Sequence, residues 1–358
     1  MKRTARFNDL KKPLVSIVLH NKNNEIYLRQ CLDGILNQTY DNIEISFYDF
    51  ASTDKSWDIA VEYQADNPGI ITLLHMRKDY MLDGLVDHLQ NVRGKYFMRF
   101  HSNCELRPEL VEKCVNVFEN HHNVAYVKIR KIISDSSANE ILEPSIYDKS
   151  CIVPGMEHIE NHLSTNPAPN SSISMFNTDI VKFNNTKLSG RYYNDSYSDE
   201  TELCMKYNMA YINEPLFVYM KTVRESLTGE SNYLTDLLNL YSAKINYIKY
   251  LYNVDEMQKI VGILPKIKKQ ISELCFVNSI NALLIDDEIN AKRLFHLSAV
   301  VDLSCERTEG FLKLTEYWKA DKDGRNKLLD ELKVIKNQFE KKQSFSLPKG
   351  SIVLDKDK

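Results

Sequence analysis

Between Pro13 and about Tyr219, short apolar runs alternate with stretches whose apolar residues recur every three or four positions. LVSIVL (Leu14–Leu19) is continuous and short, as a strand buried on both faces would be. In the next segment, NKNNEIYLRQCLDGILNQ, Leu28, Cys31, Leu32, Ile35 and Leu36 fall at helical spacing, and Asn23 or Asn24 is placed to cap the start. NIEISFYDF predicts a second strand. STDKSWDIAVEYQ predicts a helix with N-cap residue types at its start and a Trp57/Ala60/Val61 stripe. GIITLLHM predicts a third strand, and DGLVDHLQNVRG a helix stopped at Gly94. KYFMRF predicts a fourth strand, and ELVEKCVNVFENH a helix after Pro108. This alternation implies a mostly parallel sheet with helices on both faces. Ligands of such sheets sit beyond the carboxyl ends of the strands. The polar residues ending the strands, Asn21 to Asn23, Asp49 and His101 to Asn103, should therefore line one cleft.

The texture changes after Glu230. NYLTDLLNLYSAKINYIKYLYN places Leu234, Leu237, Leu238, Tyr241, Ile245 and Ile248 on one helical stripe. Helical patterns continue to NKLLDELKVIKNQFEKK, with breaks expected near Pro265 and around Ala320 to Gly324. The expected division is an N-terminal extension (1–12), an α/β domain (13–230), an α-helical domain (231–342) and a polar, frayed tail (343–358).

The bulk numbers narrow the classes. The chain has 358 residues with 43% hydrophobic and 27% charged, the balance of a globular protein. A formal charge of −3 gives no global field for nucleic acid. The basic N-terminus lacks the apolar stretch of a signal peptide, and no run approaches a membrane span. Seven scattered cysteines, without a C-x-x-C pair, suggest reduced thiols in a cytoplasmic protein. A peripheral membrane contact finds no basic amphipathic stretch to support it.

The segment PLVSIVLHNKNNEIYLRQCLDGILNQTYDNIEISFYDFASTDKS (Pro13–Ser56) resembles a family 2 glycosyltransferase of GT-A fold, the Rossmann-like fold of nucleotide-diphospho-sugar transferases. The family reads P-x-V-S-I-I-I-P-T-Y-N, then Y-L-x-x-C-L-x-S-I-L-x-Q-T-Y-x-N-x-E-I, then D-D-G-S-T-D. Two later blocks extend the resemblance to about Thr228: SSISMFNTDIV, and SDETELCMKYNMAYINEPLFVYMKTVRESLT, which is similar to the family's E-D-x-E-L and E-P-L-x-x-Y segments. The resemblance implies transfer of a sugar from a nucleotide donor, often a UDP-sugar, to an acceptor hydroxyl with inversion. A carboxylate must then take the acceptor proton, and fixed positive charge must meet the leaving diphosphate. In the family a divalent metal held by D-x-D supplies that charge.

By the same resemblance, Asp49 falls on the first acid of D-D-G-S-T-D, which helps to read the nucleobase, while Phe50 replaces the second. Asp199-Glu200 falls on E-D with the acids exchanged, which puts Glu200 at the base position and Asp199 in reserve. His101-Ser102-Asn103 falls on D-x-D, and Thr222 near the metal-binding His. Leu85-Val86 stands where Arg-Asn is usual, and P-T-Y-N reads His20-Asn21-Lys22-Asn23. Both metal contacts are altered together. No metal ligand is assigned, and Mn²⁺ or Mg²⁺ is left open with poorer ligands. Strand alternation puts Phe97, Arg99 and His101 on one face. Arg99, His101 and Lys22, with Asn21 and Asn103, are therefore candidates for the donor site, the cations meeting the diphosphate in place of a metal. The alternative for Arg99 is a structural pair with Asp49. The expected acceptor is a bacterial surface glycan or a polypeptide. The rival reading is a non-catalytic scaffold binding glycan or protein, and the helical part is a candidate for self-association.

Overall fold

The computed structural model describes residues 12–76, 88–134, 139–164, 173–184, 196–221, 233–340 and 345–354. In chain order the elements are β1 (Val15–Asn21), α1 (Glu25–Leu36), β2 (Ile43–Phe50), α2 (Ser56–Asp66), β3 (Ile71–Met76), β4 (Tyr96–His101), β5 (Cys104–Leu106), α3 (Leu110–Asn120), β6 (Val124–Ser134) and β7 (Glu140–Leu142). There follow β8 (Cys151–Val153), α4 (Gly155–Ser164), β9 (Ser174–Asn177), α5 (Thr178–Phe183), α6 (Ser196–Cys204) and β10 (Asn208–Met220). The rest is helical until the tail: α7 (Tyr233–Asn253), α8 (Met257–Leu284), α9 (Glu288–Val301), α10 (Glu309–Lys319), α11 (Lys322–Glu340) and β11 (Ile352–Val353).

One sheet carries the α/β part, in the order β11-β8-β10-β6-β9-β4-β1-β2-β3. β3, β2, β1 and β4 run parallel, as do β6 and β10, while β9 is antiparallel to both β4 and β6. The expected mostly parallel α/β architecture with a helical C-terminal region is what the chain forms. Strand alternation divides the core. Ile17, Leu19, Phe47, Met98 and Phe100 pack on one face with α1, α2 and α3. Val18, Tyr48, Phe50 and Phe97 pack on the other, in a cluster that also holds Ile159 of α4, Leu203 and Cys204 of α6, Tyr247 and Leu251 of α7 and Ile260 of α8. α7 and the start of α8 thus complete the core of the sheet, rather than forming an appendage separate from it. The expected boundary at 230/231 lies outside the described residues.

Several local expectations need correction. Gly94 does not stop a helix: of the described residues 88–94 only His88–Asn91 forms a turn, of 3-10 type, and residues 83–87 lie outside the described residues. A Cβ on Gly94 would stand 2.6 Å from the Leu14 carbonyl oxygen, so glycine is there because β1 passes against it. α2 buries Ser56, Ile59 and Ala60, and Val61 is exposed, so its buried stripe is displaced from the expected one. On α7 the buried positions include Leu237, Lys244, Tyr247 and Leu251, while Tyr241 is exposed. α8 runs through Pro265. Ile260 and Ile263 before the proline and Ile267, Ile271 and Leu274 after it are all packed, and this packing outweighs the local helix-breaking preference. The tail is not simply frayed. β11 pairs antiparallel with β8, and Phe345 N–H donates to the Ile146 carbonyl at 2.7 Å. Its apolar residues Phe345 and Leu347 join the second core cluster.

Candidate functional site

The ends of β1, β2 and β4 are tied together by side-chain hydrogen bonds. Register sets Asn21 beside Asp49, and His20 beside both Tyr48 and His101. Asp49 is fully buried and Asn21 1% exposed. The Asn21 Nδ2 donates to Asp49 Oδ1 at 2.9 Å and to Ser52 Oγ at 3.1 Å. Ser52 donates to the same carboxylate twice, through Oγ to Oδ1 at 2.5 Å and through its backbone N–H to Oδ2 at 3.1 Å. His75 Nδ1 lies 3.5 Å from Asp49 Oδ2, and its ring meets Trp57 edge-on with centroids 4.5 Å apart. On its other side Asn21 Oδ1 accepts from Ser102 Oγ at 2.6 Å, and Ser102 Oγ accepts from Asn24 Nδ2 at 3.0 Å. One polar chain therefore runs from β2 across β1 to the end of β4.

The helices behind this chain are capped across it. Asn24 makes no side-chain cap on α1. Asp54 from the β2–α2 loop takes that role, accepting from Glu25 N at 2.9 Å and from Ser56 N at 3.0 Å, while Glu25 Oε2 accepts from Lys55 N at 2.7 Å. A carboxylate at two helix starts satisfies orphan N–H groups and meets both dipoles. The two loops are strained in the same way: Asn23 and Ala51 both adopt left-handed backbone, with φ of 51° and 52°.

Sequence reasoning puts Asn21 and Asp49 together, and the structure does bring them together. It misses Ser52, Asp54 and His75, and it places Ser102 at the cleft without giving it a role of its own. Ser52 and Asp54 lie inside the D-F-A-S-T-D block that carries the resemblance, and Ser102 inside the altered triplet, so the signal is present in residues to which the pattern gives no separate role.

The triplet lacks the carboxylate oxygens that a hard divalent ion prefers. Ser102 is engaged with Asn21 and Asn24, and Asn103 Nδ2 donates to the Met220 carbonyl at 2.8 Å. Among the described residues no group of three or more His, Cys, Asp or Glu side chains is placed to hold a metal. Thr222, Leu85 and Val86 lie outside the described residues. His101 is also not a cation at neutral pH: burial first, and then the neighbouring Arg99 charge, push it down to about 4. Asp49 shares the face of Phe47, whereas Arg99 shares that of Phe97 and Val18, so the expected Arg99–Asp49 pair crosses the sheet and does not form. Arg99 and Lys22 are both half-buried.

Glu200 sits elsewhere, on α6 against β6 and β9. It is 3% exposed; its Oε2 accepts from Lys128 Nζ at 2.6 Å and its Oε1 from Ser174 Oγ at 2.7 Å. Asp199 precedes it on the same helix, and the tyrosine-rich stretch before α6 lies outside the described residues.

Residues 15–180 match the family model described as glycosyl transferase family 2. Over that span the chain is similar to family 2 glycosyltransferases. An uncharacterised glycosyltransferase of Rickettsia prowazekii is 26% identical over 157 residues, which are 44% of this chain and 46% of that protein. The glycosyltransferase GlyG of Streptococcus pneumoniae is 22% identical over 240 residues, 65% of this chain and 80% of that one. The chain spans about half the length of the first curated relatives it matches. Among solved structures, S. aureus TarS 1–349 in complex with UDP superposes with a TM-score of 0.52 at 12% identity, covering 86% of this chain and 91% of that one. The family match thus runs from β1 into α5, while the likeness in fold to TarS covers 86% of the chain. No described helix is long and apolar enough to cross a membrane.

Proposed function

We propose that the protein is an inverting glycosyltransferase that moves a sugar from a nucleotide-sugar donor to an acceptor hydroxyl in glycan or polypeptide glycosylation. The observation that carries this reading is Asp49: a buried carboxylate at the mouth of the parallel strands, held rigid by Asn21, Ser52 and His75. A carboxylate fixed at that point suits the N–H groups of a nucleobase, because its orientation needs no further ordering on binding. TarS, similar in fold, forms complexes with UDP and with UDP-GlcNAc, which favours a UDP-sugar as donor here. Arg99 and Lys22 then meet the diphosphate in place of a metal. The acceptor oxygen attacks the anomeric carbon as its proton passes to a carboxylate of the Asp199-Glu200 pair, the bond to the β-phosphate oxygen breaks, and the nucleoside diphosphate leaves with that electron pair. The Arg99 fork suits phosphate oxygens.

The test is titration calorimetry with UDP, then donor hydrolysis and transfer across a donor panel, in Mn²⁺ and in EDTA. UDP binding together with turnover in EDTA is expected. Arg99→Met should weaken UDP by on the order of tenfold. Turnover that needs Mn²⁺ would remove the metal-free reading. The rival, a non-catalytic scaffold, draws on the closed state of Glu200, whose two oxygens are both engaged in the core. UDP binding without turnover on any donor would favour it.

A further inference from the structure

α8 carries two apolar stripes, and only one of them is packed. Ile260, Ile263, Ile267, Ile271 and Leu274 face inward, onto the cluster over the sheet and onto a second cluster shared with Leu237 of α7. Met257, Val261 and Leu264 are spaced four and three residues apart, as neighbours along one side of a helix are. They are 47%, 67% and 37% exposed. The packed stripe fixes the rotation of the helix, so these three stay in water. Tyr252 at the end of α7 and Val254 in the turn before α8 are exposed as well. The surroundings are basic. Lys268 continues the exposed stripe by one more turn, and Lys269 follows it. Lys259 and Lys266 lie on the outer shoulder of α8, and Lys249 is one turn from Tyr252 on α7. All five lysines are exposed, and between residues 249 and 269 they face two acids, Asp255 and Glu256, in a chain whose formal charge is −3. Of the five, only Lys269 has an ionic partner among the described residues, Glu273 at 3.8 Å.

We propose that this side of α7 and α8 docks on an anionic lipid surface, with Met257, Val261 and Leu264 entering the boundary between headgroups and acyl chains and the lysines meeting lipid phosphates. An apolar stripe alone would suit a protein partner equally well. The lysines decide for lipid. Lysine is depleted at protein–protein interfaces. At a bilayer its long stem covers apolar surface while the ammonium stays among the headgroups. Interfacial helices bind through exactly these two contributions, buried apolar area and attraction to anionic lipid. The contact is peripheral, since no described helix is long and apolar enough to cross a membrane. The expectation that no basic amphipathic stretch is present is corrected here. In the sequence the two stripes of α8 merge into apolar residues over much of its circumference, and only burial separates the packed stripe from the free one. The inference does not depend on the glycosyl-transfer reading.

The experiment is co-sedimentation of the full chain with vesicles of phosphatidylcholine alone and of equal parts phosphatidylcholine and phosphatidylglycerol. The chain should bind the anionic vesicles at least about tenfold more tightly than the neutral ones, and the difference should shrink as salt is raised. Val261→Asp/Leu264→Asp should weaken binding by on the order of tenfold or more. Lys268→Gln/Lys269→Gln should weaken it by on the order of twentyfold on anionic vesicles and leave the neutral ones unaffected. All four side chains are exposed, so urea midpoints should stay close to that of the unaltered chain. Should the aspartate variant fail to fold, the glutamine variant decides alone. Absence of binding to anionic vesicles would overturn the proposal, as would equal binding to both compositions. Either variant binding as tightly as the unaltered chain would overturn it too. A dimer in sedimentation equilibrium without lipid, dissociated by Val261→Asp/Leu264→Asp, would give the stripe to a second copy of the chain and remove the lipid surface as its occupant.

Discussion

Asp49 and Glu200 are both buried carboxylates, yet the chain holds them in opposite ways. Asp49 stands at the strand ends among amide and hydroxyl donors, with an imidazole at 3.5 Å. Glu200 lies over the sheet in an ion pair with Lys128 at 2.6 Å. The same strand supplies a second such pair, Lys131 with Glu143 at 3.8 Å. So the β1–β2–β4 end fixes its acid by geometry, and the β6 end by charge. Asp49 is itself fully buried with both oxygens engaged, so a ligand's donors reach it only by displacing Ser52 or His75. An acid held by a buried ammonium has its charge matched within the fold and serves it as a structural tie. The difference is one of means: polar side chains tie the strand ends together around Asp49, and charge ties α6 to the sheet through Glu200.

The sharpest way to break this contrast is Lys128→Met. Removing one partner leaves a buried carboxylate uncompensated, at a cost of about 3–5 kcal/mol in urea unfolding. The paired Lys128→Met/Glu200→Met should recover most of it, since apolar replacement of a buried pair is often near neutral. A cost below about 1 kcal/mol for the single variant, the range of exposed pairs, would mean that Glu200 is solvated and the two acids are alike.

The next test uses pH. The folded chain holds His101 at about 4 against an ordinary 6.5, because burial and Arg99 disfavour the imidazolium. The unfolded chain therefore takes up this proton first as pH falls. Stability from neutral His101 is intact above about 6.5, drains away between 6.5 and 4, and is lost below that. The loss is at most about 3.4 kcal/mol. His101→Gln should flatten the fall in urea midpoint between about pH 7 and pH 4 relative to the unaltered chain. An unchanged slope would show that His101 is solvated, and would restore it as a candidate cation for the donor.

Asp49→Asn sharpens the other side. The new amide would set a donor against Asn21 Nδ2 or the Ser52 N–H, which should cost about 1–3 kcal/mol and weaken UDP on the order of tenfold. Loss of stability with UDP affinity unchanged would make Asp49 a purely structural tie, and the contrast with Glu200 would fall.

How much of this is legible in the sequence follows from what each feature depends on. The strands and α1 are readable because burial on both faces leaves continuous apolar runs, and one-sided burial leaves a 3.6-residue stripe. Asn21 and Asp49 are readable because strand ends collect at one edge of a parallel sheet. The opposite faces of Asp49 and Arg99 are not, since they depend on the register of β1 against both β2 and β4. Lys128 draws no attention as a lysine within an apolar strand, because its partner comes from α6, 72 residues later. The Asp54 cap is hidden for the same reason: it serves α1, 29 residues earlier. The polar composition of the tail predicts fraying, but a few apolar residues suffice for docking when a sheet edge is there to receive them.

The smallest effect concerns the loop that orients Asp49. Ala51 holds φ at 52°, which costs an L-residue about 1–2 kcal/mol relative to right-handed backbone. Glycine adopts that conformation freely, but it also gives the unfolded chain more states, which offsets about 0.4–1 kcal/mol. Ala51→Gly should therefore raise stability by no more than about 1.6 kcal/mol. Because Ser52 fixes Asp49 through both its hydroxyl and its N–H, the carboxylate should stay in place and UDP affinity should hold. A gain in stability with UDP binding lost would mean that the alanine's stiffness orients the acid, and that geometry at the β2 end rests on the strained backbone as much as on the hydrogen bonds. A fall in stability would mean that the β2–α2 turn does not hold the left-handed form in solution.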